Sequence, residues 1–457
     1  MSATVQPIDG VWEGTLHVGA TSLDMALLVS RGSDGVPSAT VDVPAQGAKG
    51  LPVEALVFDG TGLRFEMKAF AGSFAGTRDA TGARIAGTWT QAGTALPLVL
   101  TWRETATQLI RPQEPHPPFP YGSEDVSYEN RAGGVTLAGT LTIPTGEGPF
   151  PAALLITGSG AQDRNEELFG HKPFLVLADW LTRAGIAVLR VDDRGVGGSS
   201  GDTRTATTED LAGDVETGVG FLHERPKIDA NRIGLIGHSE GGLIAPIVAA
   251  RMASIAYIVL MAGPGLPGED ILLAQGELIA RAEHTSEAQI AANADLQREI
   301  FAIVRSERDP QVAEPLLRAV VRDGLSKLAR MAATDPSTVA DTEHLVEAQV
   351  QAVNSPWFRF FLTYDPRPVL AKVRCPVLAL DGDHDLQVPA EENLVAIRDA
   401  MHAGGNDRLT ARMLPGLNHL FQTSTTGHPS EYGTIEETIA PAALDLIGSW
   451  IREQVGG

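Results

Sequence analysis

The 457-residue chain has a single cysteine, Cys375, so it can form no intrachain disulfide, no CxxC redox pair and no thiolate zinc cluster. Positive charge is scarce: 35 Lys and Arg stand against 57 Asp and Glu, a net charge of −22. Such a field repels phosphate backbones and anionic membrane surfaces, so nucleic acid is not an expected partner. Long apolar runs are missing too. The longest, such as Ile255 to Gly263, falls far short of the roughly 18–20 residues a membrane-spanning helix needs, and no membrane span is expected. The opening stretch Met1 to Asp9 lacks a basic region followed by an apolar one, which argues against a signal peptide and for a cytoplasmic protein. Aromatic residues make only 5%, yet hydrophobic residues make 43% and charged residues 20%, ordinary globular usage that excludes a disordered or fibrous chain. At about 100–200 residues per domain, the length allows two to four domains.

Residues 10 to 104 carry apolar side chains at every second position, the period of a half-buried strand. Leu63, Phe65 and Met67 alternate with Arg64, Glu66 and Lys68, and turn chemistry falls at Asp34-Gly35, Asp59-Gly60 and Asp79 to Gly82. A small antiparallel β-domain, barrel or sandwich, is expected over 1–108. Five prolines between Leu109 and Pro120 then predict a stiff, extended linker over 109–120. From 121 to 457 the pattern becomes a hairpin-like opening (Val126, Tyr128; Val135, Leu137) followed by short apolar strands separated by helical stretches. Strands are expected at 152–157, 185–192, 232–237, 257–262, 376–381 and 408–414, continuous apolar runs suited to a parallel sheet covered on both faces. Between 264 and 366 no strand pattern occurs; Ser286 with Gln289 forms a capping box and Leu296, Ile300 and Ile303 keep helical spacing, which predicts an inserted helical cap.

The strongest chemical signal is Gly237-His238-Ser239-Glu240-Gly241, at the end of one predicted strand and the start of an apolar helix. A serine on a sharp strand-to-helix turn has its hydroxyl exposed, and small flanking residues let the neighbouring backbones approach: a nucleophile elbow. A serine hydroxyl needs a general base, and the base needs an orienting carboxylate. Asp381, Asp383 and Asp385 follow one predicted strand; Asp385 is the candidate, with Asp383 its rival and a local turn role the alternative for the latter. Of 11 histidines only His402, His419 and His428 come later in the chain. His402 falls in a helical stretch, whereas His419 stands just beyond the last predicted strand and is the candidate base. For the oxyanion the N–H of Glu240 is one donor, and the loop Thr157-Gly158-Ser159-Gly160 supplies the other, from Ser159 or, alternatively, Gly160. Gln162 to Asn165 either orders this loop or touches substrate.

Two patterns mislead. Gly195-Val196-Gly197-Gly198 suggests a dinucleotide loop, but the third glycine is misplaced and no acidic strand-end partner follows. His384 among Asp381, Asp383 and Asp385 suggests a metal cluster, but crowded turn carboxylates are more often solvated or structural.

From about Tyr121 onward these segments, together with Val191-Asp192-Asp193-Arg194-Gly195 and Leu417-Asn418-His419, resemble the α/β-hydrolase superfamily, specifically bacterial serine esterases allied to the prolyl-oligopeptidase-like catalytic domain. The resemblance implies an α/β-hydrolase fold, a mostly parallel sheet flanked by helices with a cap, and maps the triad to Ser239, Asp385 and His419. Thr157 departs from the histidine many relatives carry before the oxyanion glycine. Residues 355–361 resemble the segment by which such a lid rejoins the core, with Trp357, Phe358, Phe360 and Phe361 as candidate pocket walls or cap anchors. The expected function is serine carboxylesterase action on a small-molecule ester, with a rate that falls in acid as the imidazole base is protonated. No metal or organic cofactor is expected, because the chain supplies nucleophile, base and oxyanion donors. Alternatives are a thioesterase or acyltransferase, a peptidase, and a non-catalytic ligand-binding protein. The acyl and alcohol preference, the role of the β-domain and homo-oligomer formation are left open.

Overall fold

The structure is a computed structural model. It describes residues 8–18, 21–32, 35–43, 48–68, 72–91, 94–106, 110–332 and 343–456; Asp34 of one expected turn and residues 1–7 of the opening stretch lie outside these. The first half of the strand pattern becomes β1 (Gly10–Val18), β2 (Thr21–Arg31), β3 (Pro37–Val43), β4 (Ala48–Pro52), β5 (Glu54–Phe58), β6 (Gly62–Met67), β7 (Gly72–Arg78), β8 (Arg84–Gln91) and β9 (Thr94–Arg103). They form one antiparallel sheet in the order β4-β3-β2-β1-β9-β8-β7-β6-β5. The two edge strands are consecutive in the chain, separated by Val53, whose N–H bonds Ala39 O on β3, so the sheet curls round its own apolar face. That face is the alternating set the sequence displays, Leu63, Phe65 and Met67 among it, closed at one end by Trp12 with the Arg78 guanidinium 5.2 Å above its ring.

The proline-rich stretch is fastened to later parts of the chain. Arg111 donates to the carbonyls of Phe169, Gly170, Gly433 and Ile435, and Gln113 bonds Ile439 O and the N–H groups of Thr438 and Ile439. A planar guanidinium with several fixed acceptors makes this a geometric clamp.

The second sheet comprises β10 (Gly122–Asn130), β11 (Val135–Ile143), β12 (Phe150–Ile156), β13 (Ala187–Val191), β14 (Ile228–His238), β15 (Ile255–Met261), β16 (Val377–Gly382) and β17 (Leu409–Leu414). Its order is β10-β11-β13-β12-β14-β15-β16-β17, with β11 antiparallel to both of its neighbours, β10 and β13, and every other pairing parallel. Ile233 and Leu235 of β14 enter one core and Ile236 the other, so both sheet faces are apolar and both need helical cover. One face carries α2 (Thr208–His223), α3 (Gly241–Arg251) and α10 (Ala390–Ala403); the other carries α1 (Pro173–Arg183) and α11 (Pro441–Val455). β14 begins at Ile228, earlier than its apolar run, because Ile228 already pairs with Phe150 before the bulge.

Between β15 and β16 come α4 (Gly268–Ala282), α5 (Glu287–Ser306), α6 (Pro310–Ala332), α7 (Glu343–Val353), α8 (Pro356–Thr363) and α9 (Arg367–Leu370). Ser286 caps α5 reciprocally with Gln289. The helices α5 to α8 share an apolar core of their own, built on Ile300, Phe301, Leu317 and Val350. Among the described residues no helix is long and apolar enough to cross a membrane.

Candidate active site

At the end of β14 the backbone of Ser239 turns to φ 52°, the left-handed region that an L residue enters at a cost. The turn is held by Ser239 N–H to Met261 O (2.8 Å) and by Gly242 N–H back to Ser239 O (2.8 Å). Its tightness explains the flanking glycines: a Cβ on Gly237 would lie 2.0 Å from Gly241 O, and one on Gly241 would lie 2.2 Å from Ile156 O.

His419 and Asp385 meet from two different loops beyond the sheet edge. His419 Nδ1 lies 2.6 Å from Asp385 Oδ2, and both side chains are buried. The other Asp385 oxygen accepts the N–H groups of Gln387 (2.7 Å) and Val388 (2.9 Å), so the carboxylate is fixed on both sides. Burial would raise its pKa, but the His419 imidazole and these hydrogen bonds hold it below the ordinary carboxylate range. Asp381, behind it, is held well above that range by burial and by the Asp385 charge. Asp383, the rival in sequence, has the turn role: its Oδ1 accepts Gly416 N–H at 2.6 Å. His384 bonds Ser424, and among the described residues no group of three or more His, Cys, Asp or Glu is arranged to hold a metal ion.

Ser239, His419, Ser159 and Glu240 line one cavity of about 320 Å³. Among the described residues the Ser239 hydroxyl has no hydrogen-bond partner, and the N–H groups of Ser159, Gly160 and Glu240 have no acceptor, whereas Gly158 N–H is taken by Glu166 Oε1 (2.7 Å). Gly160 lines the neighbouring cavity rather than this one.

The loop bearing Ser159 is pinned by Asp192 and Asp193, acids to which sequence reasoning gave no role. Asp193 Oδ1 accepts the Thr157 hydroxyl (2.8 Å) and Oδ2 accepts Gln162 N–H (2.9 Å); burial pushes Asp193 up to about 7. Arg164 grips Asp192 through Nε (3.0 Å) and Nη2 (2.7 Å), which orders this loop, while Gln162 also lines the cavity. His238, the residue before the serine, sits between Glu166 Oε1 (2.9 Å) and His419 O (2.9 Å). A carbonyl accepts only, so Nε2 of His238 carries a proton. Burial disfavours a second proton, but the facing Glu166 carboxylate overrides it and shifts the His238 pKa upward. The His238–Glu166 pair thereby ties the elbow, the Gly158 loop and the His419 loop together.

The cap enters through α8. Trp357 and Phe361 line the cavity and stack at 5.3 Å, and Trp357 Nε1 donates to Glu240 Oε1 (2.8 Å), which also accepts the Thr208 hydroxyl (2.6 Å). Burial raises the Glu240 pKa, with the Thr208, Trp357 and Ser159 side chains pulling the other way. Phe358, also a sequence candidate for the pocket, is not among its walls: one residue along the helix it points about 100° away and packs on Phe301 in the cap core. Phe360 stacks on Tyr364. The cavity wall on the His419 side, Leu168, Phe169, Leu420 and Tyr432, has no periodic or motif signal in the sequence.

Comparison with known proteins gives a family match described as serine aminopeptidase, S33, over residues 172–423, more than half of the chain. A curated relative, the esterase EstD of Thermotoga maritima, is 24% identical over 319 residues, which cover 69% of this chain and 65% of the relative. Among solved structures, the α/β hydrolase GrgF from Penicillium sp. sh18 aligns with a TM-score of 0.45 at 15% identity, covering 74% of this chain and 100% of that one. The Pyrococcus furiosus esterase Pf2001 aligns at 0.42 and 14% identity, covering 73% and 93%.

Proposed function

The chain belongs to the α/β-hydrolase family described as serine aminopeptidase, S33, and from that premise we propose that it is a serine carboxylesterase working through Ser239, His419 and Asp385. The observation that carries the proposal is the 2.6 Å contact of His419 with a doubly anchored Asp385 beside a cavity that also holds Ser239 on its left-handed turn. In this reading His419 takes the Ser239 proton as the hydroxyl attacks the ester carbonyl, and Asp385 keeps the imidazole in the tautomer whose Nε2 faces the serine. The N–H groups of Ser159 and Glu240, free of other acceptors, bind the developing oxyanion, each worth about 3 kcal/mol of transition-state stabilisation. His419 returns the proton to the departing alkoxide. Water then attacks the acyl-serine by the same route, releasing the acid and restoring the Ser239 hydroxyl.

The name of the curated relative, an esterase, supports the choice of bond, and the family description raises a second reading, an aminopeptidase. The cavity argues for the ester. An aminopeptidase must receive a cationic α-amine, and among the described residues the two acids lining the cavity are engaged otherwise: Glu166 is paired with His238, and Glu240 is buried with a raised pKa. The test is steady-state hydrolysis of p-nitrophenyl esters and aminoacyl p-nitroanilides by the wild type and by Ser239→Ala. Ester turnover that vanishes in the variant supports the proposal. Turnover of the anilides alone supports the aminopeptidase, and a folded wild type inert on both classes, or ester turnover surviving in the variant, refutes the esterase reading.

A further inference from the structure

Beyond the catalytic cavity lies a second one of about 360 Å³, and the two share Ser159, Glu240 and Trp357 as walls. The second is bounded further by the Gly160-Ala161 backbone and by Thr203, Arg204, Ala206, Leu211 and Ser355. The Trp357 indole is fixed where the two spaces meet: its Nε1–H is bonded to Glu240 and its ring is stacked on Phe361 with an interplanar angle of 20°. Glu240 is 1% exposed, and its Oε2 is buried with no hydrogen-bond partner, so the partition is held from the elbow through one carboxyl oxygen only.

Stereochemistry assigns the sides. In the tetrahedral intermediate proposed above, the alkoxide that leaves must receive its proton from His419, so the alcohol half lies toward Leu420 and Tyr432. The oxyanion lies toward the Ser159 and Glu240 N–H groups. The remaining substituent, the acyl chain, is left the cavity walls that belong to neither set, among them Trp357, whose indole is bonded to the Glu240 side chain.

We infer that Trp357 is the specificity-determining end wall of the acyl site, that the substrates are short-acyl esters whose bulk lies in an apolar alcohol, and that removal of the indole opens the second cavity to longer acyl chains. This rests on the esterase reading. The test varies the two halves separately: p-nitrophenyl esters from acetate to laurate, and alkyl acetates from methyl to octyl, with wild type, Trp357→Ala, Trp357→Leu and Trp357→Phe, each checked for a cooperative melt. The laurate-to-acetate ratio of kcat/KM should rise at least about tenfold in the Ala variant, the scale of discrimination by hydrophobic pocket size. The Leu variant should shift the same way and carries the test if the Ala variant does not fold, whereas the Phe variant, which keeps an aromatic wall, should hold the ratio near wild type. The alkyl acetate profile should not move. A wild type that turns over these esters but shows an unmoved acyl profile in the Ala and Leu variants, or a shift in the alcohol profile instead, overturns the inference alone. A wild type that turns over none of them overturns the esterase reading and this inference with it.

Discussion

Replacing Asp193 by Asn isolates the cost of a desolvated carboxylate behind the loop that bears Ser159. In the native chain this carboxyl is pushed up to about 7 by burial, against an ordinary aspartate value of 3.8, with the charges of Glu240 and Glu166 acting in the same direction. Between those two values the folded protein holds a proton that the unfolded chain has released. Native stability therefore falls as pH rises through the window and levels off above about pH 7. From about pH 5 to about pH 8 the loss is roughly 3 kcal/mol for this one group. An asparagine copies the neutral carboxyl: its Oδ1 can accept Gln162 N–H and its amide can donate to the Thr157 hydroxyl, the two contacts Asp193 makes. Urea unfolding of wild type and Asp193→Asn at the two pH values cancels the titrations the proteins share. The stability of the variant relative to wild type should increase by about 3 kcal/mol on going from acid to alkaline conditions. A difference that stays constant, or one that shrinks as pH rises, would refute the reasoning.

Asp385→Asn should lower kcat by about 10⁴ while leaving the fold intact, because the amide can hold the wrong imidazole tautomer, whereas Asp383→Asn should stay within a few-fold of wild type; steady-state kinetics on one ester decides. Gly237→Ala places a methyl 2.0 Å from a backbone oxygen that cannot yield, so a loss of about 3 kcal/mol or more is expected in a thermal melt, and a wild-type melting temperature would contradict the elbow packing. Glu166→Gln removes the charge partner of buried His238 and should cost about 3–5 kcal/mol of stability by urea unfolding; a change under about 1 kcal/mol would mean that His238 is neutral. Activity should survive EDTA in full, and loss of activity that a divalent ion restores would contradict a chemistry supplied by side chains alone.

The parts of this molecule that are legible in the sequence are those written over short spans. The elbow is strand, turn and helix within a few residues, and its glycines are required by contacts inside the same turn. Asp385 and His419, 34 positions apart, follow from chain order and from the strand ends at Gly382 and Leu414 that carry them. Alternation showed the β-domain strands, but not that a single sheet curls until its first and last strands are chain neighbours at Val53, since register leaves no mark on apolar period. What sequence reasoning missed is polar and distant: Glu166 with His238 across 72 positions, Trp357 with Glu240 across 117, Asp193 with Thr157 across 36. Each is a single pair with no periodicity, and its partners become neighbours only after the sheet and cap have formed. Phe358 shows the same limit on a small scale: four aromatic positions within five residues of one helix look alike in sequence, and the helical rotation alone decides which of them face the cavity.

The most direct measurement of whether Ser239 is an activated nucleophile is intact-protein mass after treatment with an alkyl fluorophosphonate, compared among wild type, Ser239→Ala and His419→Ala. A single adduct on the wild type, mapped to Ser239 by peptide mass, absent from Ser239→Ala and slow to form on His419→Ala, is the predicted result. A folded wild type that stays unlabelled, or an adduct that forms equally well without Ser239, would contradict it.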